Sequence, residues 1–277
     1  MSQELVEWLR TEAPLRRVYE RPPLTLALCQ VRFATRFGLS DLGVAPFQEA
    51  IEDQYPNPER QELLAAIQMG GSPGQAGFQT QTPSTLWKFT DESGDWTVTL
   101  TQDFVTLETR AYSDFKDFLT RLQRVLKALI QTVKPSVGRR IGLRYINEIR
   151  STERDWLDII RTELLGVLAI DPLRYSCDQA LQALSLQAGE ARINLQHGLF
   201  PIGTTVVPKP GVQTTSDPFY LLDVDMYQEF APPKTIKMDA SMLLERVKEY
   251  HATVSDLFRW ATTDEYRASL GEFEYVP

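Results

Sequence analysis

Two long stretches with apolar residues at helical spacing constrain this fold more than any other feature of the sequence. The first runs from about Ser113 to Thr132, and the second follows Asp239 and continues to about Ala261. Each carries an apolar stripe that must be buried against another element. Short segments of alternating or continuous apolar residues surround the two helices and predict strands: 24–33, 86–89, 96–100, 104–110, 140–149, 181–186, 191–196 and 220–228.

Runs of strands followed by a long helix indicate an α+β fold with a mostly antiparallel sheet. The plan occurs twice, so we expect two loosely repeated halves, 1–150 and 151–277, packed as one globular unit. Ser113 and Asp239 are placed to cap the two long helices. The pattern also predicts a helix over 156–168, and long Pro- and Gly-rich loops over 69–85 and 201–218.

The signatures of common catalytic sites do not occur in this sequence. It has no glycine-rich phosphate loop, no Gly-x-Ser-x-Gly, no His-Glu-x-x-His and no Cys-x-x-Cys motif. Two histidines in 277 residues exclude a histidine-rich metal site. We therefore expect no resident cofactor, and a binding role rather than catalysis.

Two carboxylates leave one alternative open. Asp223 and Asp225 share one face of a predicted strand because side chains on a strand repeat every two residues. Together with Glu108 or Glu148 they could hold Mg²⁺, which would suit a metal-dependent nuclease. The other interpretation is the polar face of a half-buried sheet.

The charge of the chain is unevenly distributed. The net charge is −8, yet residues 110–150 hold 10 basic and 3 acidic side chains, a local net of +7. A basic face on an acidic protein predicts docking of an acidic partner protein, or weak, non-specific contact with nucleic acid. The alternatives are internal pairing with acidic residues of the second half and a solvated helix face. The candidate partner-binding residues are Arg121, Arg124, Lys127, Arg139, Arg140 and Arg144.

One motif, Gly142-Leu143-Arg144-Tyr145-Ile146-Asn147, is more specific than composition. It occurs with a proline-preceded first strand (22–33), an aromatic entry to the first long helix (112–115) and a His251-x6-Phe258 spacing. In these features residues 18–262 resemble a sporadically distributed bacterial protein family of uncharacterised function. That family usually has a basic residue after the asparagine, where this chain has Glu148. Tyr145, Asn147 and His251 are the ligand candidates, with a purely structural role as the alternative.

The absence of catalytic motifs, the long loops 69–85 and 201–218 and the resemblance together favour a non-enzymatic binding module, an accessory or regulatory subunit of a multiprotein bacterial system, with antiphage defence among such systems. Its partner would be another protein, encoded nearby. A third interpretation is a small-ligand sensor that uses His251, Tyr145 and Arg144 in a cavity between sheet and helices. The first residues are acidic and lack an apolar stretch, so we expect a cytoplasmic protein without membrane contact.

Overall fold

The computed structural model describes residues 4–12, 17–39, 41–63, 84–151, 155–207 and 217–274. Its helices are α1 (Glu4–Glu12), α2 (Asp41–Ile51), α3 (Phe115–Thr132), α4 (Thr162–Leu165), α5 (Leu173–Ser176), α6 (Ala240–Ala261) and α7 (Asp264–Ser269). Its strands are β1 (Arg17–Tyr19), β2 (Leu24–Phe33), β3 (Asn57–Leu63), β4 (Ser84–Thr90), β5 (Trp96–Leu100), β6 (Phe104–Thr109), β7 (Gly138–Arg150), β8 (Gln182–Ala188), β9 (Ala191–Phe200), β10 (Phe219–Glu229) and β11 (Glu272–Glu274).

Nine of these strands form one antiparallel sheet in the order β3-β4-β5-β6-β2-β7-β10-β9-β8. The α+β class with a large antiparallel sheet is therefore confirmed. In the sheet, the predicted boundary near residue 150 lies between β7, the last strand of the first half, and β10 of the second half, and these two strands are hydrogen-bonded to each other. Strands from both predicted halves thus share a single sheet, and the division into two repeated halves stays a prediction.

The two faces of the sheet have different surroundings. One face carries the main core, in which apolar residues of the central strands, such as Leu143 and Val224, pack beneath the helices. All buried apolar residues that the described helices contribute belong to this core. The other face carries the alternate residues of the same strands, including Arg140, Arg144 and Asp223. A small second cluster around Ile146 lies on this face.

The two long helices contribute the buried stripes that position the core. On α3 the buried residues are Phe118, Leu122, Val125, Leu126, Ala128 and Leu129. On α6 the buried apolar residues run from Leu243 to Ala261. Helix α3 packs beside α2 and α6, while α6 lies against β7 and β10.

Local capping differs from the sequence prediction at the start of α3. Asp114, and not Ser113, is the N-cap, and its carboxylate accepts a hydrogen bond from the Asp117 backbone N–H at 2.9 Å. Both residue types are good caps, so composition alone could not choose between neighbours. Asp239 caps α6 as predicted, accepting from the Met242 N–H at 3.0 Å.

The prediction of one continuous helix over 156–168 is wrong. The segment contains a 3₁₀ turn (Trp156–Asp158), the short α4 and a second 3₁₀ turn (Gly166–Ala169). Gly166 has a φ of 55° and a ψ of −119°, a backbone conformation that glycine adopts readily and that does not continue the α-helix. Strand β3, α5, α7 and the β1–β11 pair were not predicted. Most of the predicted loop 69–85, and residues 208–216 of the loop 201–218, lie outside the described residues.

Candidate functional site

The aspartates of β10 and the arginines of β7 pair across the face of the sheet that lies opposite the helices. Arg144 donates from Nε and Nη2 to the two carboxylate oxygens of Asp223, at 2.8 and 2.6 Å. Asp223 is only 5% exposed. The hydrogen bonds from Arg144 to Asp223 raise the pKa of this guanidinium. This two-bond geometry is the strong form of an arginine–carboxylate pair.

Arg140 forms the second pair of this ladder. It donates to Asp225 at 2.8 Å and to the Gln30 side-chain oxygen at 3.2 Å, and it lies 4.4 Å above the Tyr227 ring. Burial raises the pKa of Asp225, and the positive charges of Arg140 and Arg144 oppose that shift. The guanidinium is thus held on three sides by strands β2 and β10. We call the four charged residues Arg140, Arg144, Asp223 and Asp225 the Arg–Asp ladder.

The metal interpretation of Asp223 and Asp225 needs carboxylates that are free to bind a cation. Both are engaged by guanidinium groups, and Glu148 accepts hydrogen bonds from Arg150, from the Thr205 hydroxyl and from the Val206 N–H. No group of three or more His, Cys, Asp or Glu side chains that could hold a metal occurs in the described part of the chain. The geometry of these carboxylates supports ion pairing and not metal binding.

Tyr145 and His251, two of the three predicted ligand residues, do meet. The Tyr145 hydroxyl lies 3.0 Å from Nδ1 of His251 and 3.4 Å from the Tyr112 hydroxyl. The His251 ring stacks on Phe115, with centroids 3.7 Å apart and planes at 8°. Burial raises the pKa of Tyr145 well above its ordinary value, so the phenol stays protonated near neutral pH. The cluster joins β7 to α6 and to the segment before α3 by hydrogen bonds, while α3 contributes the Phe115 ring stack.

The third ligand candidate and Arg144 do not join this cluster. Asn147 is buried, and its side-chain N–H₂ donates to the Leu222 carbonyl at 3.1 Å, which ties β7 to β10. Arg144 points to the other face of the sheet from Tyr145, because successive residues of a strand alternate. The predicted sensor trio of His251, Tyr145 and Arg144 therefore cannot line one cavity. Neither of two cavities of about 300 Å³ is lined by these residues: one involves Leu157–Glu163 and Thr262–Asp264, and the other lies among α1, the β8–β9 turn and α6.

The basic residues of α3 divide into two environments. Arg121 donates to both oxygens of Asp117, at 3.1 Å each, and its guanidinium lies 4.3 Å from the Trp96 ring centroid. Arg124 pairs with Asp53 at 3.0 Å, with both side chains more than half exposed. Farther along the same helix and just past its end, Lys127 and Lys134 are exposed.

Four exposed basic residues occur along α3 and just past its end: three lie in the helix at spacings of eight and three residues, and the fourth follows seven residues later, beyond Thr132. Within the described residues, the three lysines among them have no ion pair, whereas Arg124 has Asp53. We call this surface the α3 basic stripe; its members are Lys116, Arg124, Lys127 and Lys134. Of the six predicted partner-binding residues, Arg124 and Lys127 lie in it, whereas Arg140 and Arg144 lie across the sheet. Arg139 is partly buried on β7, with one guanidinium nitrogen lacking a partner among the described residues.

A buried histidine was not selected by the sequence analysis. His197 is 1% exposed, and its Nδ1 lies 2.8 Å from the Tyr220 hydroxyl, which itself donates to the Leu164 carbonyl at 3.1 Å. Since that hydroxyl has a single proton, Nδ1 of His197 must be the donor. Burial lowers the pKa of His197, and its Nε2 has no partner among the described residues. Only the alternation along β9 could have placed this ring in the core.

Comparison with known proteins gives no family for this chain. No family model matches it, and no curated protein matches it either. The resemblance of residues 142–147 to a bacterial family stays a prediction. No helix in the described ranges combines the length and apolar character needed to cross a membrane.

Proposed function

We propose that this protein is a non-enzymatic binding module that acts in the cytoplasm as an accessory or regulatory subunit of a multiprotein bacterial system, with antiphage defence as the first class to test. The observation that carries the proposal is the α3 basic stripe, an exposed cationic surface on a chain of net charge −8. Side chains that could do chemistry, such as Asp223, Asp225 and Glu148, are engaged in internal pairs. A docking role needs an exposed, rigid surface, and a helix fixed on a sheet provides one.

The stripe favours an acidic protein surface as its partner. An 18-residue helix spans about 27 Å, a length that one side of a protein interface can accommodate. Electrostatic screening over about 8 Å at physiological salt lets the stripe act almost independently of the distant acidic residues. Four cations would give duplex DNA only weak binding that falls steeply with salt. We therefore place a protein partner first and nucleic acid second.

The predicted two-half plan is part of the same proposal. Each half would contribute strands to the common sheet and one long helix to its covered face. Helix α3, from the first half, then presents its polar side to solvent while its apolar side lies in the core. The docking helix would thus be held rigidly by both halves.

The test compares charge reversal on the stripe with equal charge reversal elsewhere. The proteins encoded beside this one are the first probes, and binding is measured by calorimetry at several salt concentrations. Reversing Lys116, Lys127 and Lys134 to Glu should weaken binding at least about tenfold, because opposite charges at the interface become like charges. The matched control reverses three other exposed or half-exposed lysines, Lys234, Lys237 and Lys248, and should bind as the wild type does.

Three results would contradict the proposal or its choice of partner. Equal loss of binding in both triple variants would show a non-specific charge effect and not a docking surface. Cleavage of labelled DNA or RNA in the presence of Mg²⁺, abolished in Asp223→Ala, would establish the nuclease alternative. Binding of duplex DNA with loss only in the stripe variant would replace the protein partner by nucleic acid.

A further inference from the structure

The two edges of the nine-stranded sheet are built differently. The β3 edge contains Pro58 and the charged residues Glu59, Arg60 and Glu62, which are the usual means of preventing another strand from pairing there. The β8 edge reads Gln-Ala-Leu-Ser-Leu-Gln-Ala and contains no charge and no proline. Within the described residues no strand pairs with its outer side. Only the β8 edge is chemically open to a further strand.

Apolar side chains are exposed around this open edge. Leu184 in β8 is 41% exposed and Leu181, just before it, is 51% exposed. Gly166 lies beside the start of β8, since a Cβ on it would lie 3.2 Å from the Gln182 side chain, and the segment 166–176 begins there. That segment adds four exposed apolar residues, Val167, Ile170, Leu173 and Tyr175. Such a concentration is typical of an interaction surface.

The hydrogen bonding of β8 shows which backbone groups face outward. The Ala180 N–H donates to the Leu199 carbonyl, and the β8–β9 register continues regularly from that pair. Alternate residues of an antiparallel strand bond to opposite neighbours. Even-numbered residues of β8 therefore bond to β9, and the N–H and C=O groups of Ala183, Ser185 and Gln187 point away from the sheet.

We propose that two copies of the chain associate through antiparallel pairing of their β8 edges about a twofold axis at Ser185. In that register Ser185 lies opposite Ser185, and Ala183 lies opposite Gln187 of the second copy. The three outward residues of each copy then form about six interchain backbone hydrogen bonds. Leu184 lies opposite Leu186 of the second copy in the closer, non-hydrogen-bonded pairs, so the exposed leucine side chain is covered.

The absence of charge favours a second copy of the chain as the partner of the β8 edge. A twofold interface brings each residue close to its own symmetry mate, so charged surfaces of a chain with net charge −8 repel one another. Residues 179–189 carry no charge, which makes this edge compatible with itself. The result would be one continuous sheet across two copies, with the α3 basic stripe of each copy left free. This inference does not depend on the proposed function of that stripe.

Sedimentation velocity of the full-length chain over about 1 to 100 µM tests the proposal. At the upper concentrations the wild type should sediment as a species with twice the 31.6 kDa mass of the chain. Ser185→Pro removes an N–H that bonds only the second copy and should shift the protein to monomer, whereas Ser185→Ala should remain a dimer. Leu184→Lys should also give monomer, because each copy would then bring a positive charge to the shared edge and the two charges repel each other. Leu42→Lys changes an equally apolar, 88% exposed residue of α2 and should dimerise normally.

Two outcomes would overturn the proposal. A wild type that remains monomeric at all concentrations would exclude pairing of two copies through their β8 edges. A dimer that persists in both Ser185→Pro and Leu184→Lys would place the interface elsewhere. Circular dichroism melting of each variant confirms folding, and Leu184→Lys, a surface change, remains informative if Ser185→Pro does not fold.

Discussion

Strand β7 and helix α3 come from the same basic stretch of sequence, but two arginines of the strand and two lysines of the helix have opposite surroundings. On β7, Arg140 and Arg144 are fixed by aspartates of β10 with short hydrogen bonds. On α3, Lys116 and Lys127 project into solvent. The comparison shows that the local charge of a segment measures neither its surface charge nor its capacity to bind. Arg140 and Arg144 are paired because the neighbouring strand β10 places carboxylates within hydrogen-bond distance of them.

The largest effect should come from removing one member of the Arg–Asp ladder. Arg140→Met leaves Asp225 largely buried without its cation and should lower the free energy of unfolding by about 3 kcal/mol. Urea denaturation at neutral pH measures this loss. The double variant Arg140→Met/Asp225→Leu should recover most of it, because both charges are then replaced by apolar side chains.

Acidic pH provides a second check on this pair. Burial already raises the pKa of Asp225, and loss of Arg140 removes a charge that lowers it. The folded variant then takes up a proton more readily than the unfolded chain, so its deficit should shrink as the pH falls. A loss below about 1 kcal/mol at neutral pH, or no recovery in the double variant, would show that an unpaired Asp225 carboxylate is not the cause of the loss.

The sequence predicts the elements better than their contacts. Periodicity located α3, α6, β2, β7 and β10 because each buries a regular set of apolar residues. Internal pairing of the basic segment with acidic residues of the second half was one of the predicted alternatives, but the individual partners could not be predicted, since Arg144 lies opposite Asp225 in register and bonds diagonally to Asp223. Strand pairing over 79 residues of sequence leaves no local signal. The meeting of Tyr145 with His251 was predicted only within the small-ligand sensor interpretation, which also included Arg144, a residue on the opposite face of the sheet.

Strand β3 shows the opposite reason for a missed element. Its sequence contains a proline and consists mostly of charged and polar residues, so it has no apolar face to recognise. Such a strand is specified by its neighbour β4 and by its place at the edge of the sheet. Propensity therefore fails where tertiary pairing supplies the stability.

His197 extends the comparison to a group that titrates. Burial lowers its pKa in the folded state below the value of 6.5 that it has when unfolded. Between those two values the unfolded chain binds more protons, so the free energy of unfolding should fall as the pH drops through 6.5. In His197→Asn, whose side-chain N–H₂ can still donate to the Tyr220 hydroxyl, this pH dependence should weaken. Identical slopes for both proteins between pH 7.5 and 5.5 in denaturation would contradict the assignment.

The start of α3 offers a smaller effect with a built-in control. Asp114→Ala removes the N-cap hydrogen bond and should lower the free energy of unfolding by about 1 kcal/mol. Ser113→Ala, at the position that the sequence favoured, should change it by less than about 0.5 kcal/mol. Thermal melting of the two variants distinguishes them directly. Equal losses would mean that both side chains share the capping role.

The smallest effect should be found on the exposed side of α3. Arg124 and Asp53 are 3.0 Å apart, but their side chains are 52% and 62% exposed, so Arg124→Met should cost only about 0.3 kcal/mol. That loss should disappear in 1 M salt, where screening acts over about 3 Å. The loss in Arg140→Met should persist at the same salt concentration, because a largely buried pair is screened much less. High salt therefore distinguishes the exposed pair from the largely buried one. If both losses vanish in 1 M salt, the Arg140–Asp225 pair is screened by solvent as strongly as the Arg124–Asp53 pair, and the two pairs do not differ in environment.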